Sequence, residues 1–187
     1  MRFIFFIIAS FFGEAVFAQL PEFNSNTSCK DSAQSFLLKA AIADYDFVFA
    51  YSERNRFPSP FYILALKDNT WSAIEIHQHS SNRGEMASIS KYSFPSDSAV
   101  YLLNELAKLG FWTLDNDSLR YDYEKLKIVR VFDASTEVFE TFSKGKYRIT
   151  ESYSPDSYLI NVPPSAPHRK FVFGRTLFLS VYKRNRR

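Results

Sequence analysis

From Tyr45 to Tyr51 an aromatic ring stands at every second position: Tyr45, Phe47, Phe49 and Tyr51 alternate with Asp46, Val48 and Ala50. Only a strand places residues two apart on one face. This stretch therefore demands a sheet with one strongly aromatic side, and the rest of the chain must supply both its neighbours and a cover.

Candidate covers are readable at three places. Asp31 has Gln34 three residues on, a capping-box spacing, and Ala33, Phe36, Leu37, Ala40 and Ala41 follow with helical period over 32–42. Pro95-Ser96-Asp97 opens a second helix, with Ser96 as the expected cap. Its apolar stripe is Ala99, Leu102, Leu103, Leu106 and Leu109, and Gly110 stands where a left-handed residue ends a helix. Phe111 to Leu114 then turns back toward the core. Arg169 to Tyr182, apolar at Phe171, Phe178, Val181 and Tyr182, reads as a closing helix despite Gly174.

Neighbouring strands are equally marked. Phe61 to Leu66 is apolar on both faces, as in a central strand. Lys67-Asp68-Asn69-Thr70 is turn chemistry, and Trp71 to His79 alternates again, so a hairpin is expected. Leu126 to Phe132, Thr136 to Phe142 and Tyr147 to Tyr153 are further strands, the last two joined by Ser143-Lys144-Gly145-Lys146. Ser52 to Pro60 reads as a loop, and residues 80–90 are polar. The expected domain, residues 31–182, is α+β: a mostly antiparallel sheet of about five or six strands with two or three helices.

The first residues belong to another category. Arg2, the apolar run Phe3 to Phe12, and small side chains at Val16 and Ala18 are the parts of a signal peptide over 1–18, cut between Ala18 and Gln19. Glu14 stops the run well short of the ~20 apolar residues of a membrane span, and no later segment is long or apolar enough to serve as an anchor. The expected location is exported, either periplasmic or secreted. Residues 19–30 are polar and read as a flexible leader. The one cysteine, Cys29, excludes an intramolecular disulfide, so stability rests on packing. The formal net charge of +3 comes from the tail 183–187, which holds Lys183, Arg184, Arg186 and Arg187. Without that tail the body is close to neutral, and no nucleic-acid motif accompanies it, so no nucleic-acid partner is expected.

Glu75-Ile76-His77-Gln78-His79 is the sharpest local pattern. On a strand Glu75, His77 and His79 share a face, with Ile74 and Ile76 turned to the core. A carboxylate and two imidazoles suit zinc with an open position for water, and His168 is the remaining histidine. The plainer reading is a solvated hairpin face with no cofactor. Tyr147 and Tyr153 share a face with Ile149 and Glu151 and offer a binding surface, since tyrosine suits sugar and peptide contacts. Asp115-Asn116-Asp117-Ser118 lacks the glycine and terminal Glu of a calcium loop and reads as a turn. No glycine-rich phosphate loop, nucleophile elbow or Cys-x-x-Cys pair is present. Two classes of function remain. One is a non-enzymatic envelope or secreted module for protein, peptide or glycan. The other is a metal-assisted hydrolase using Glu75, His77 and His79.

Residues 102–155 resemble small uncharacterised exported bacterial α+β proteins. In that pattern a Leu-rich helix ends in Gly-Phe-Trp, as Gly110-Phe111-Trp112 does here. A strand Asp-Gly-x-x-Trp-x-Leu-Glu and a Tyr-rich strand ending in Pro follow it. The counterparts are Asp133 to Glu140 and Gly145 to Pro155, with Ala134 replacing Gly and Glu137 replacing Trp. The resemblance implies export and the α+β fold, and no activity.

Overall fold

The computed structural model describes residues 20–24, 44–54, 59–81, 84–120, 134–156 and 166–186, with the side chains of 78–81 and 84–86 outside that set. The signal peptide and its cut between Ala18 and Gln19, the helix expected at 32–42 and the strand Leu126 to Phe132 lie outside the described residues.

Strands β1 (Phe47–Arg54), β2 (Phe61–Lys67), β3 (Thr70–Ser81), β4 (Gly84–Ser93), β5 (Thr136–Ser143) and β6 (Lys146–Tyr153) form one sheet. Their order is β4-β3-β2-β1-β5-β6, and every neighbouring pair is antiparallel. Helices α1 (Ser96–Lys108) and α2 (Pro167–Asn185) complete the described elements, with a single 3-10 turn at Phe111–Thr113. This is the α+β class that the alternating segments demanded.

The two-residue hairpins whose turns are described, β2–β3 and β5–β6, have the backbone that a right-twisted ladder favours. Asp68 and Asn69 lie at φ 46° and 64°, and Lys144 and Gly145 at 50° and 76°. Positive φ at both central residues matches the twist of the flanking strands, and Asn and Gly tolerate it best.

The helices cover the face that carries Phe47, Phe49 and Tyr51, whereas Tyr45, expected on the same face, packs with the opposite cluster. Phe47, Phe49 and Tyr51 of β1 pack there with Leu64, Trp71, Phe139, Phe171, Phe178 and Tyr182. Phe49 is the hub, its ring centroid 5.0 Å from Phe139, 5.1 Å from both Trp112 and Phe178, and 5.9 Å from Phe111. Burying each such ring contributes about 2–3 kcal/mol, with edge-to-face contacts adding to it. Helix α1 buries Ala99, Leu102, Leu103 and Leu106, the i, i+3, i+4, i+7 stripe. Gly110, at φ 70°, takes the left-handed position after it. Helix α2 passes Phe111 so closely that a Cβ on Gly174 would overlap that ring. Gly174 is therefore a contact point between helix and core.

Several boundaries differ from the sequence reading. Ser52 to Arg54 remain in β1 because all three pair with β5. Residues 84–93, overlapping the stretch 80–90 read as polar, form β4, an edge strand held by a ladder from Ser72↔Ser93 to Ser81↔Gly84. Backbone pairing, and not apolar alternation, defines it. Ser96 is the first residue of α1, with Pro95 in the cap position. Leu20 and Phe23, in the stretch read as leader, lie against the domain, and Phe23 is buried. Lys183 and Arg184, read as tail, form the last turn of α2.

The largest correction concerns β3. Glu75 and His77 share the helix-covered face with Trp71 and Ala73, whereas Ile74 and Ile76 join Val48, Ala50, Ile63 and Ala65 on the opposite face. The sheet has two buried apolar faces. A polar residue on β3 therefore does not mark a solvated side.

Candidate functional site

Glu75 is 4% exposed. Its carboxylate forms an ion pair with Arg186, just beyond α2, and its Oε2 lies 3.3 Å from Nε2 of His77. Arg186 also stands over the Tyr92 ring at 5.8 Å, and Lys183 over Tyr62 at 5.4 Å. Cationic residues at the end of a helix complement its dipole, and here they also hold that end to the sheet. The Tyr182 hydroxyl donates to the Ile74 carbonyl at 2.8 Å beside them. The side chain of His79 lies outside the described residues. His168 is buried in the first turn of α2, with Nε2 3.0 Å from the Leu119 carbonyl, and burial pushes its pKa down. Eighteen helical steps at 1.5 Å put about 27 Å between His168 and Arg186. The structure brings Glu75 and His77 together and leaves His168 far from them. Among the described residues no group of three or more His, Cys, Asp or Glu side chains is placed to hold a metal.

Tyr147 and Tyr153 do share a face, away from the helices. Tyr147 is 2% exposed and its hydroxyl donates to Glu140, whose carboxyl is raised by burial. The Tyr153 hydroxyl oxygen accepts from the Ala134 amide at 3.2 Å. Tyr147 therefore has little surface to offer a ligand. Asp115 to Ser118 is a turn closed by the Ser118 amide on Asp115 Oδ1 at 2.7 Å.

The arrangement with most chemical potential assembles from residues distant in sequence. The β1–β5 register sets Glu53 directly opposite Glu137, two residues beyond the Tyr51↔Phe139 pair and on the same helix-covered face. Opposed residues have Cβ atoms about 5 Å apart, where like charges repel. Arg175 of α2 relieves part of this. Its Nη1 donates to Glu137 Oε1 at 2.5 Å, while Nη1 and Nη2 grip Asp156 at 2.7 and 2.8 Å. That two-pronged grip fits the planar guanidinium fork, and the Asp156 bonds raise the affinity of Arg175 for its proton.

Glu137 is 6% exposed. Burial drives its pKa up to about 7, against the opposing pull of Arg175. Its second oxygen, Oε2, is buried with no hydrogen-bond partner among the described residues, and so is Oγ of Ser152, its register partner on β6. Tyr51 donates to Glu53 Oε1 at 3.3 Å, and burial raises its own pKa. Tyr51, Glu53 and Glu137 line a cleft of about 450 Å³ whose walls also include Asp156, Arg175 and Leu179. A second hollow of about 240 Å³ shares Tyr51, Glu53 and Leu179 and adds Tyr62 and Lys183. Glu53, Glu137, Asp156 and Arg175 thus line one cleft beside the Tyr51 ring.

Sequence reasoning missed this cleft because Glu53 and Glu137 meet only through strand pairing. One signal was present. Glu137 has the parity of Phe139 on an otherwise buried strand, and it stands where the resembling pattern has Trp.

No protein-family model matches the chain, and no curated protein shows significant similarity to it.

Proposed function

We propose that the protein is an exported, non-enzymatic binding module of the envelope or secreted fraction, with the Glu53–Glu137–Arg175 cleft as its ligand site. The ligand class is a peptide or protein segment that presents a cationic hydrogen-bond donor. The supporting observation is the Glu137 carboxylate, buried at the cleft wall with no partner for Oε2 among the described residues. A buried acceptor without a donor costs about 1–3 kcal/mol, and a ligand ammonium or guanidinium would remove that cost. Tyr51 in the cleft and Tyr62 in the adjoining hollow supply aromatic walls of the kind that basic side chains pack along. Export rests on the signal-peptide pattern.

Titration calorimetry with short lysine- and arginine-containing peptides, their acetylated or citrulline counterparts, and a neutral oligosaccharide tests the reading. Saturable one-to-one binding of the basic peptides, weakened in Glu137→Gln, is expected. Equal affinity for the neutral counterparts, or for the Glu137→Gln protein, would remove the cleft from the account.

A further inference from the structure

A second cleft, also of about 450 Å³, opens against the other end of the β5–β6 hairpin, where Phe23, Trp112, Asp115, Lys146 and Arg148 form its walls together with Glu22. Lys146 and Arg148, two residues apart on β6, share the helix-covered face. Arg148 is 6% exposed, and Trp112, the residue beside it, is 8% exposed.

Two buried donor side chains, Trp112 and Arg148, are among the residues that line this cleft. Arg148 Nη1 donates to the Trp112 carbonyl, and that is its one hydrogen bond to the described residues. None of their carboxylates forms an ion pair with it. Asp115 is the nearest compensating charge, but it is exposed and its Oδ1 is engaged by the Ser118 amide. Burial correspondingly lowers the Arg148 pKa. The indole Nε1–H of Trp112 is buried and has no hydrogen-bond partner among the described residues. Glu22, like Asp115 and Lys146, is exposed at the rim, where water screens it. A buried guanidinium with spare donors, and no carboxylate of the described residues bonded to it, is the arrangement that an incoming anion completes.

We infer that this cleft binds a small oxyanion, either the carboxylate of an organic acid or peptide end or an inorganic phosphate or sulfate. Arg148 and the Trp112 indole N–H are its buried donors, and Lys146 is its rim charge. A planar carboxylate fits the guanidinium fork, and a tetrahedral oxyanion can use the same donors. This site does not depend on the Glu137 cleft, and its ligand has the opposite charge.

The test is titration of the protein with sodium acetate, phosphate and sulfate at constant ionic strength, followed by the indole N–H resonance of Trp112. Trp112→Phe assigns that resonance against the other tryptophan, Trp71. One saturable shift is expected below about 100 mM anion, with Lys146→Ala weakening it several-fold and Arg148→Gln by about tenfold or more. Saturation by acetate assigns the site to carboxylates, and saturation by phosphate or sulfate alone assigns it to tetrahedral anions. Either result supports the inference. No saturable Trp112 shift with any of the three would overturn it, whether or not Arg148→Gln folds. So would a shift of equal midpoint in Lys146→Ala and in a folded Arg148→Gln protein.

Discussion

Glu53 and Glu137 stand directly opposite each other on β1 and β5, and a single guanidinium, Arg175, is shared between Glu137 and Asp156. Two carboxylates at one register position are retained against their repulsion. That gives the Glu137 site a measurable signature in pH as well as in binding.

Glu137 titrates near 7 in the folded protein and near the ordinary carboxylate value when unfolded, so folding favours its protonated form. Its contribution is fully present below about pH 4.3 and is lost as pH rises through about 7. The wild-type protein should therefore lose about 3 kcal/mol relative to Glu137→Gln across that window. Urea unfolding of both proteins at several pH values gives the difference. A pH-independent difference would contradict the assignment.

Removing the partner of Glu75 should be costly. Arg186→Ala leaves a buried carboxylate without its guanidinium and is expected to destabilise the fold by about 1–3 kcal/mol, the lower part of the range reflecting the partly exposed arginine. Glu75→Gln combined with Arg186→Ala should cost less than the two single changes added together. Chemical denaturation of the four proteins measures the coupling, and simple additivity would show that the pair carries none.

At Gly174 packing opposes helix propensity. Alanine ordinarily gains about 1 kcal/mol over glycine inside a helix, but here its Cβ would meet the Phe111 ring. Gly174→Ala should therefore destabilise by about 1–3 kcal/mol. A rise in thermal midpoint would mean that α2 can shift away from Phe111 at little cost.

Zinc titration bears on the hydrolase alternative. With Glu75 held by Arg186 and His168 distant, zinc affinity tighter than about millimolar is not expected. Micromolar binding abolished by His77→Ala/His79→Ala would restore the metal site.

Sequencing the mature N-terminus after expression with its leader checks export, and Gln19 is the expected first residue. A chain that still begins at Met1 would contradict the signal peptide.

The parts of the fold visible in the sequence were those with strong local period or fixed turn chemistry. The alternation Phe47, Phe49, Tyr51 defined β1, Asp68-Asn69 and Lys144-Gly145 defined two hairpins, and Leu102, Leu103 and Leu106 with Gly110 defined α1. What was hidden was non-local. Strand β4 is polar and owes its place to the β3 ladder. Ile74 and Ile76 face a second buried cluster, so two-fold alternation could not say which face of β3 was wet. Glu75 therefore read as a surface ligand although it is a buried partner of Arg186. Of the cleft, only the odd parity of Glu137 was legible, because Glu53, Asp156 and Arg175 reach it through pairing and packing.

The central claim is that Glu137 receives a cationic donor in its cleft, and proton linkage measures this most directly. At pH 7 Glu137 is about half protonated, since its pKa is about 7. A bound ammonium or guanidinium favours the carboxylate form. Calorimetry of a basic peptide at pH 7 in two buffers of different ionisation enthalpy should show release of about half a proton per ligand. That release should vanish in Glu137→Gln. Binding without proton release, at the same affinity in both proteins, would contradict the account.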